Sequence, residues 1–180
     1  MEITPGFIKS LLNPLRERTE NPAVLIPSNM ISNKVVADLG CGAGYYSRYL
    51  SMYAAKLYAI DDSEEMLAKA IEVAGGSNVE FIKSDIANTR LKSGSIDVVL
   101  LANVFHDVKS ADVVNEIRRI LKDSGTLIII DWKKEQTDIG PPYELRMDAD
   151  DYKRYFNGFY TVKVTEASEY QYEILMKKSA

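Results

Sequence analysis

The chain predicts an α/β protein built on a mostly parallel sheet of seven strands, and three features carry that expectation. The run Val35-Val36-Ala37-Asp38-Leu39 ends in a glycine turn, Gly40-Cys41-Gly42-Ala43-Gly44, which enters a helical pattern at Tyr45. Beyond it, apolar runs of strand length alternate with stretches of helical periodicity, at the pace of βαβ units. Near the other end, two strand-like runs are joined by only Ala167-Ser168, and so short a connection demands an antiparallel pair. The expected architecture is Rossmann-like, with an antiparallel final strand and helices on both faces of the sheet.

Each element follows from its own residues. Positions 1–31 contain Pro5, Pro14, Pro22 and Pro27, so only short helical pieces fit, and this stretch reads as an N-terminal arm. Strands are expected over Lys34–Leu39, Lys56–Ile60, Val79–Ser84, Ile96–Ala102 and Thr126–Asp131. Between them Met66, Leu67, Ala70, Ile71 and Ala74 recur at helical spacing, as do Val113, Val114, Ile117, Ile120 and Leu121. Asp62 and Glu65 have the form of a capping box for the first of these helices, and Gly75-Gly76 ends it. Lys92-Ser93-Gly94-Ser95 and Lys122-Asp123-Ser124-Gly125 read as turns into the fourth and fifth strands. A helix over Asp148–Asn157 stops at Gly158, and the closing strands cover Phe159–Glu166 and Glu169–Lys177.

Composition narrows the classes. A chain of 180 residues, 46% hydrophobic, can bury one substantial core and is too short for two ordinary α/β domains, so a single domain over 1–180 is expected. With 22 Lys and Arg against 26 Asp and Glu the net charge is −4, which builds in no attraction to nucleic acid or anionic membrane. Cys41 is the one cysteine, which rules out a disulfide within the chain and fits a reducing, cytoplasmic setting. No apolar stretch approaches the roughly 20 residues that cross a bilayer, and the basic-then-apolar start of a signal peptide is absent. No metal-ligand cluster is expected, and the chain reads as a monomer or homodimer.

A strand that turns on glycines into a helix lets the backbone approach a nucleotide-like ligand closely. The dinucleotide fingerprint, with glycine at the first, third and sixth positions, would need glycine at 45 after Gly40 and Gly42; the residue is Tyr45. With its leading acid, Asp38-Leu39-Gly40-Cys41-Gly42-Ala43-Gly44 instead resembles motif I of the class I S-adenosylmethionine-dependent methyltransferases. The antiparallel close of the sheet resembles that family too, and the order of elements is similar to its type 11 group, which includes quinone-biosynthesis enzymes. The resemblance implies S-adenosylmethionine as cofactor, held by Asp38, Gly40, Cys41, Gly42, Gly44 and Tyr45. It also implies that the arm lies over the cofactor as a lid.

Residues just past each strand are the remaining candidates, because ligands of open α/β sheets bind beyond the carboxyl ends of the strands. Asp61, about 20 residues past the glycine turn, is placed to accept both ribose hydroxyls. Asp62 follows it and is a second contact candidate. Asp85 and the backbone N–H of Ile86 match the donor and acceptor of the adenine edge, and Met66 could cover its face. Asn103 follows the fourth strand in Asn103-Val104-Phe105-His106-Asp107. That stretch lacks the Asn/Asp-Pro-Pro-Tyr/Phe signature of methyltransferases that act on base or glutamine amino groups; Gly140-Pro141-Pro142-Tyr143 lies after the fifth strand, outside that context. His106-Asp107 resembles the His-Asp pair of several small-molecule O-methyltransferases, in which the His takes the proton from the hydroxyl being methylated. Trp132, Tyr143 and Arg146, in an irregular stretch after the fifth strand, are expected to line the acceptor site with His106, Arg146 offering an anion contact.

The expected reaction is transfer of the sulfonium methyl to a small-molecule acceptor, at oxygen or carbon. Two other readings stand beside it: a nicotinamide-dependent reductase, although no Tyr-x-x-x-Lys couple occurs, and a non-catalytic S-adenosylmethionine-binding module.

Overall fold

A computed structural model describes residues 4–179. Seven strands form one sheet: β1 (Val35–Leu39), β2 (Lys56–Asp61), β3 (Val79–Lys83), β4 (Ile96–Ala102), β5 (Leu121–Trp132), β6 (Phe159–Glu166) and β7 (Gln171–Lys178). Their order is β3-β2-β1-β4-β5-β7-β6. The first five are parallel, and β7 slots between β5 and β6, antiparallel to both. The chain walks outward from β1 through β3, then returns to β4 beside β1, so the strand order reverses between β1 and β4 and a crevice opens at their carboxyl ends.

The central strands are apolar on both sides, as burial under helices on both faces requires. On one face Ala37, Leu39, Val99, Leu101, Leu127 and Ile129 pack with the residues of α6 (Ala111–Ile120) and α7 (Ala149–Tyr155). On the other, Val36, Val98, Leu100, Ile128 and Ile130 meet α3 (Tyr45–Leu50) and the N-terminal arm, which holds α1 (Pro5–Leu11) and α2 (Pro22–Leu25). The remaining helices, α4 (Glu64–Ala74) and the short α5 (Phe105–Val108), follow β2 and β4.

Several expectations change at their edges. The cap of α4 is Ser63, whose hydroxyl accepts from the N–H of Met66 at 3.2 Å, and not Asp62; the side chain of Asp61 already receives the N–H of Ser63, which turns the chain one residue later. Ile71 is solvent-facing, so the buried stripe of α4 is Met66, Leu67, Ala70 and Ala74. Residues 122–125 do not precede β5 but interrupt it: Ile96 pairs with Leu121 and Val98 with Thr126, so the four residues bulge out of the ladder. The expected helix at 148 is capped by Asp148, which accepts from the N–H of Asp151 while Asp151 accepts from that of Asp148, a reciprocal box.

Gly44 shows how tightly the first turn is packed. It caps α3 with φ +87°, and a Cβ there would lie 2.9 Å from the Cα of Ala70, so helices α3 and α4 touch through it. Gly44→Ala is therefore expected to destabilise the fold by about 1–3 kcal/mol, from overpacking against backbone and a left-handed φ. Chemical denaturation of the two proteins measures this.

Candidate active site

Two connected cavities occupy the crevice. The first has lobes of 310 Å³ and 390 Å³ that share Gly40, Asp61, Asp62, Asn103 and Asp107. The second, 500 Å³, meets the first at Leu11, Arg16, Asn103 and Asp107 and extends toward Trp132 and Pro142. A ligand of nucleoside size fits the first, and the second adjoins it.

The three glycines of the turn do different work. Gly40 has φ +71°, and a Cβ on it would strike the Val104 side chain at 2.5 Å. Gly42 has φ +52° and nothing within 4 Å of where its Cβ would be, so its missing side chain leaves room over the cleft. Gly44, expected as a ligand contact, is not among the residues that line the cleft; it packs against Ala70 and joins two helices. The turn is pinned from below, because the N–H groups of Gly40 and Cys41 both donate to the carbonyl of Ile60.

Carboxylates dominate the floor. Asp61 Oδ2 accepts from the N–H of Gly42 at 2.8 Å and Oδ1 from that of Ser63 at 3.0 Å, which fixes the carboxyl group at the lip of the cleft. Partial burial nevertheless holds its pKa above the ordinary carboxylate value, against those two N–H bonds. Asp38 is buried and accepts from the Ser47 hydroxyl at 2.6 Å. Burial, with the Asp61 charge added, pushes it up to about 7. Cys41 is buried, and its thiol pKa is raised by desolvation and by the same two carboxylates. Asp62 and Asp85 are exposed on the rim; Asp85 closes a local turn by accepting from the N–H of Ala87, while the apolar Ile86 and Met66 are buried beside the cleft.

The N-terminal arm forms the roof through a residue that the sequence reading overlooked. Glu20 is buried and collects Arg16 on both oxygens at 2.7 Å, the Tyr46 hydroxyl at 2.6 Å and Asn103 Nδ2 at 2.6 Å. Its backbone carbonyl accepts from the Tyr45 hydroxyl at 2.6 Å, and the Arg16 guanidinium sits 4.1 Å above the Tyr45 ring. Tyr45 thus lines the cleft and anchors the arm. Asn103, at φ +56°, completes the seam: its Oδ1 accepts from Gln171 Nε2 at 2.8 Å.

His106 faces the second cavity. Its Nδ1 lies 2.7 Å from Asp131 Oδ1, and Asp131 also accepts from the Tyr152 hydroxyl and from the N–H of Trp132. Burial alone would lower the imidazole pKa, but the hydrogen bond and charge of Asp131, with Asp107 adding to them, hold it above its ordinary value. With Nδ1 engaged, Nε2 is the ring nitrogen left for a ligand, 3.5 Å from Asp107. Asp131 and Tyr152 were not singled out from sequence as partners of His106. The sheet gives a signal for the first, since β4 and β5 pair Ala102 with Ile130 and so bring their exits together; the second comes from α7, with no local signal.

Beyond β5 the expectations divide. Trp132 does line the second cavity, with Pro141, Pro142 and Leu145. Arg146 does not offer an anion contact: it is buried, donates to the carbonyls of Glu135, Ile139 and Pro141 at 2.7–2.9 Å, and lies 5.4 Å from the Trp132 ring. It organises the loop. Tyr143 is partly exposed on a 3₁₀ turn and is not part of the cavity wall.

Comparison with known proteins defines the class. The type 11 methyltransferase domain profile matches residues 37–129. A crystal structure of a SAM-dependent methyltransferase from Aquifex aeolicus is 31% identical, aligns over 99% of this chain and 100% of that one, and gives a TM-score of 0.90. A structure designated a type 11 methyltransferase, from Sulfolobus solfataricus, is 36% identical over 94% of each chain, with a TM-score of 0.76. Among curated proteins, a ubiquinone/menaquinone biosynthesis C-methyltransferase of Campylobacter jejuni is 29% identical over 109 residues, covering 56% of this chain and 46% of that protein. The chain belongs to the type 11 family of S-adenosylmethionine-dependent methyltransferases. The matched segment spans between 24% and 56% of the length of the curated relatives.

The Asp38 environment gives a pH signature. Its folded pKa, about 7, lies above the ordinary 3.8, so its contribution to stability is fully present below about pH 4 and is lost as pH rises to 7 and beyond. Asp61 shifts in the same direction. Asp38→Asn is expected to flatten the decline in stability of the ligand-free protein between pH 4 and 7, leaving a residual slope from Asp61. Denaturant titrations across that range test it.

Proposed function

We propose that this chain transfers a methyl group from S-adenosylmethionine to a small-molecule acceptor, at oxygen or carbon. The observation that carries the reading is the joining of two cavities: one built from the Gly42 opening and the Asp61 carboxylate, the other holding a His106–Asp131 pair. Its chemistry fits the cofactor. Gly42 supplies backbone approach, Asp61 acceptors for a ribose diol, Asp38 and the turn carbonyls acceptors for an ammonium, and Asp85 with the Ile86 N–H an adenine edge. Asp62 lies on the same rim and Asn103 at the junction. When bound, S-adenosylmethionine supplies an activated methyl whose bond to sulfur breaks as the acceptor atom bonds to carbon, the electron pair staying on sulfur.

The protein's part is alignment and proton handling. The Glu20-anchored arm lines both cavities, which favours alignment of the two reactants; such alignment can lower a barrier by on the order of 7–11 kcal/mol. His106 Nε2 accepts the proton of an acceptor hydroxyl, and Asp131 orients the ring and stabilises its protonated form. A merely cofactor-holding role leaves the second cavity and this pair without a use. Tyr45, where a dinucleotide site would want its third glycine, is committed to the arm, which argues against the reductase reading.

Two outcomes test the assignments. Asp61→Ala is expected to weaken S-adenosylmethionine binding at least about tenfold by calorimetry, with the melting temperature as control. His106→Ala is expected to leave that affinity intact and slow turnover by about 10²–10⁴. In the unsubstituted enzyme the rate should fall as pH drops through an imidazole pKa above the ordinary value; a flat profile would remove the base role.

A further inference from the structure

We infer that the acceptor is a neutral, flat, hydroxyl-bearing molecule, and that Asp107 turns away acids and phosphate esters. This rests on the methyl-transfer reading and narrows it to one class of acceptor. The argument is one of charge. Two guanidinium groups lie at or near the second cavity, and neither is available to an anion. Arg16 is matched on both sides of its fork by Glu20, with its remaining arm on the Leu11 carbonyl. Arg146 is consumed by backbone carbonyls. No lysine lines this cavity among the described residues. Asp107, by contrast, is a half-exposed carboxylate on the wall whose one ion-pair neighbour among the described residues is His106, at 3.5 Å. Behind His106 stands the buried Asp131. An acceptor carrying a carboxylate or phosphate would enter facing the half-exposed Asp107 carboxylate with no free cation on the cavity wall among the described residues, whereas a neutral hydroxyl finds an acceptor in His106 Nε2.

Shape adds the second half. Trp132 packs against the Gly140 backbone, where a Cβ would sit 2.6 Å from the indole, and its ring lies 5.4 Å from the Arg146 guanidinium, contacts that hold the ring in place. With the rings of Pro141 and Pro142 it gives the cavity rigid flat walls, which favour a planar guest.

The test uses three guests that differ only in the polar group: 2-naphthol, 2-naphthoate and 2-naphthyl phosphate, titrated calorimetrically into protein saturated with S-adenosylhomocysteine. Binding of 2-naphthol at least about tenfold tighter than either anion is expected. In Asp107→Lys the order should reverse, and in the milder Asp107→Asn the gap should narrow; melting temperatures confirm that both variants fold. Equal or tighter binding of an anion by the unsubstituted protein overturns the inference. So does failure of 2-naphthol to bind, or unchanged discrimination in both variants. In each of those cases the cofactor site stands, because S-adenosylhomocysteine has bound, and methyl transfer is judged separately by the turnover of the unsubstituted enzyme and His106→Ala. If S-adenosylhomocysteine itself does not bind, the methyl-transfer reading fails first and this one with it.

Discussion

A buried carboxylate must have its charge matched, and Glu20 is where this protein meets that requirement. Four donors from three segments converge on it: two from Arg16 within the arm, one from Tyr46 on α3 and one from Asn103 past β4. Removing a partner from a fully buried pair costs about 3–5 kcal/mol, and somewhat less here because Arg16 reaches solvent. This network adds to the burial of Leu25, Ile26 and Ile31 against the sheet in holding a proline-rich arm of short helices. Both cavities share Leu11 and Arg16 as part of their walls, so this bond network fixes one side of each. Asn103 ties the same network to Gln171 at the start of β7, so the antiparallel strand that marks the fold also supports the roof.

What could be read in advance was whatever the chain writes locally. The seven strands, the antiparallel close and the glycine turn depend on periodicity, turn residues and loop length, and each survives with boundary shifts of a residue or two, β5 excepted. There, residues 122–125 look like a turn because their types are turn types, yet the strand pairs on both sides of them. Asp61 was legible because the parallel topology carries the residue that ends β2 to the lip of the cleft. Glu20 was not, because its partners lie 26 and 83 residues away and an arginine four residues earlier reads as an ordinary helical ion pair. Arg146 failed for a related reason. A cation in an irregular loop suggests an anion, but a long loop leaves carbonyls unpaired, and a guanidinium with five donors is well suited to gather them.

Gly44 and Gly42 make the same point inside one motif. Both are glycines of the turn, and both have positive φ, but one is required by its contact with Ala70 of α4 and the other by open room over the cleft. Residue type could not separate them, since a missing side chain serves close packing and ligand access equally. Only the neighbours decide.

The charge distribution follows a single logic. A cofactor carrying an ammonium and a sulfonium favours carboxylates around it, and the first cavity has Asp38, Asp61, Asp62 and Asp85, with Asp107 at the junction. Asp38 carries a pKa raised chiefly by its burial, with the Asp61 charge adding to it, before any cation arrives. The cavity next door inherits the field: Asp107 belongs to both, and the guanidinium groups that could have reversed the sign are spent on Glu20 and on loop carbonyls. Selecting a cationic cofactor thereby biases the second site against anions, and acceptor choice becomes partly a consequence of how the arm and the loop after β5 are held in place.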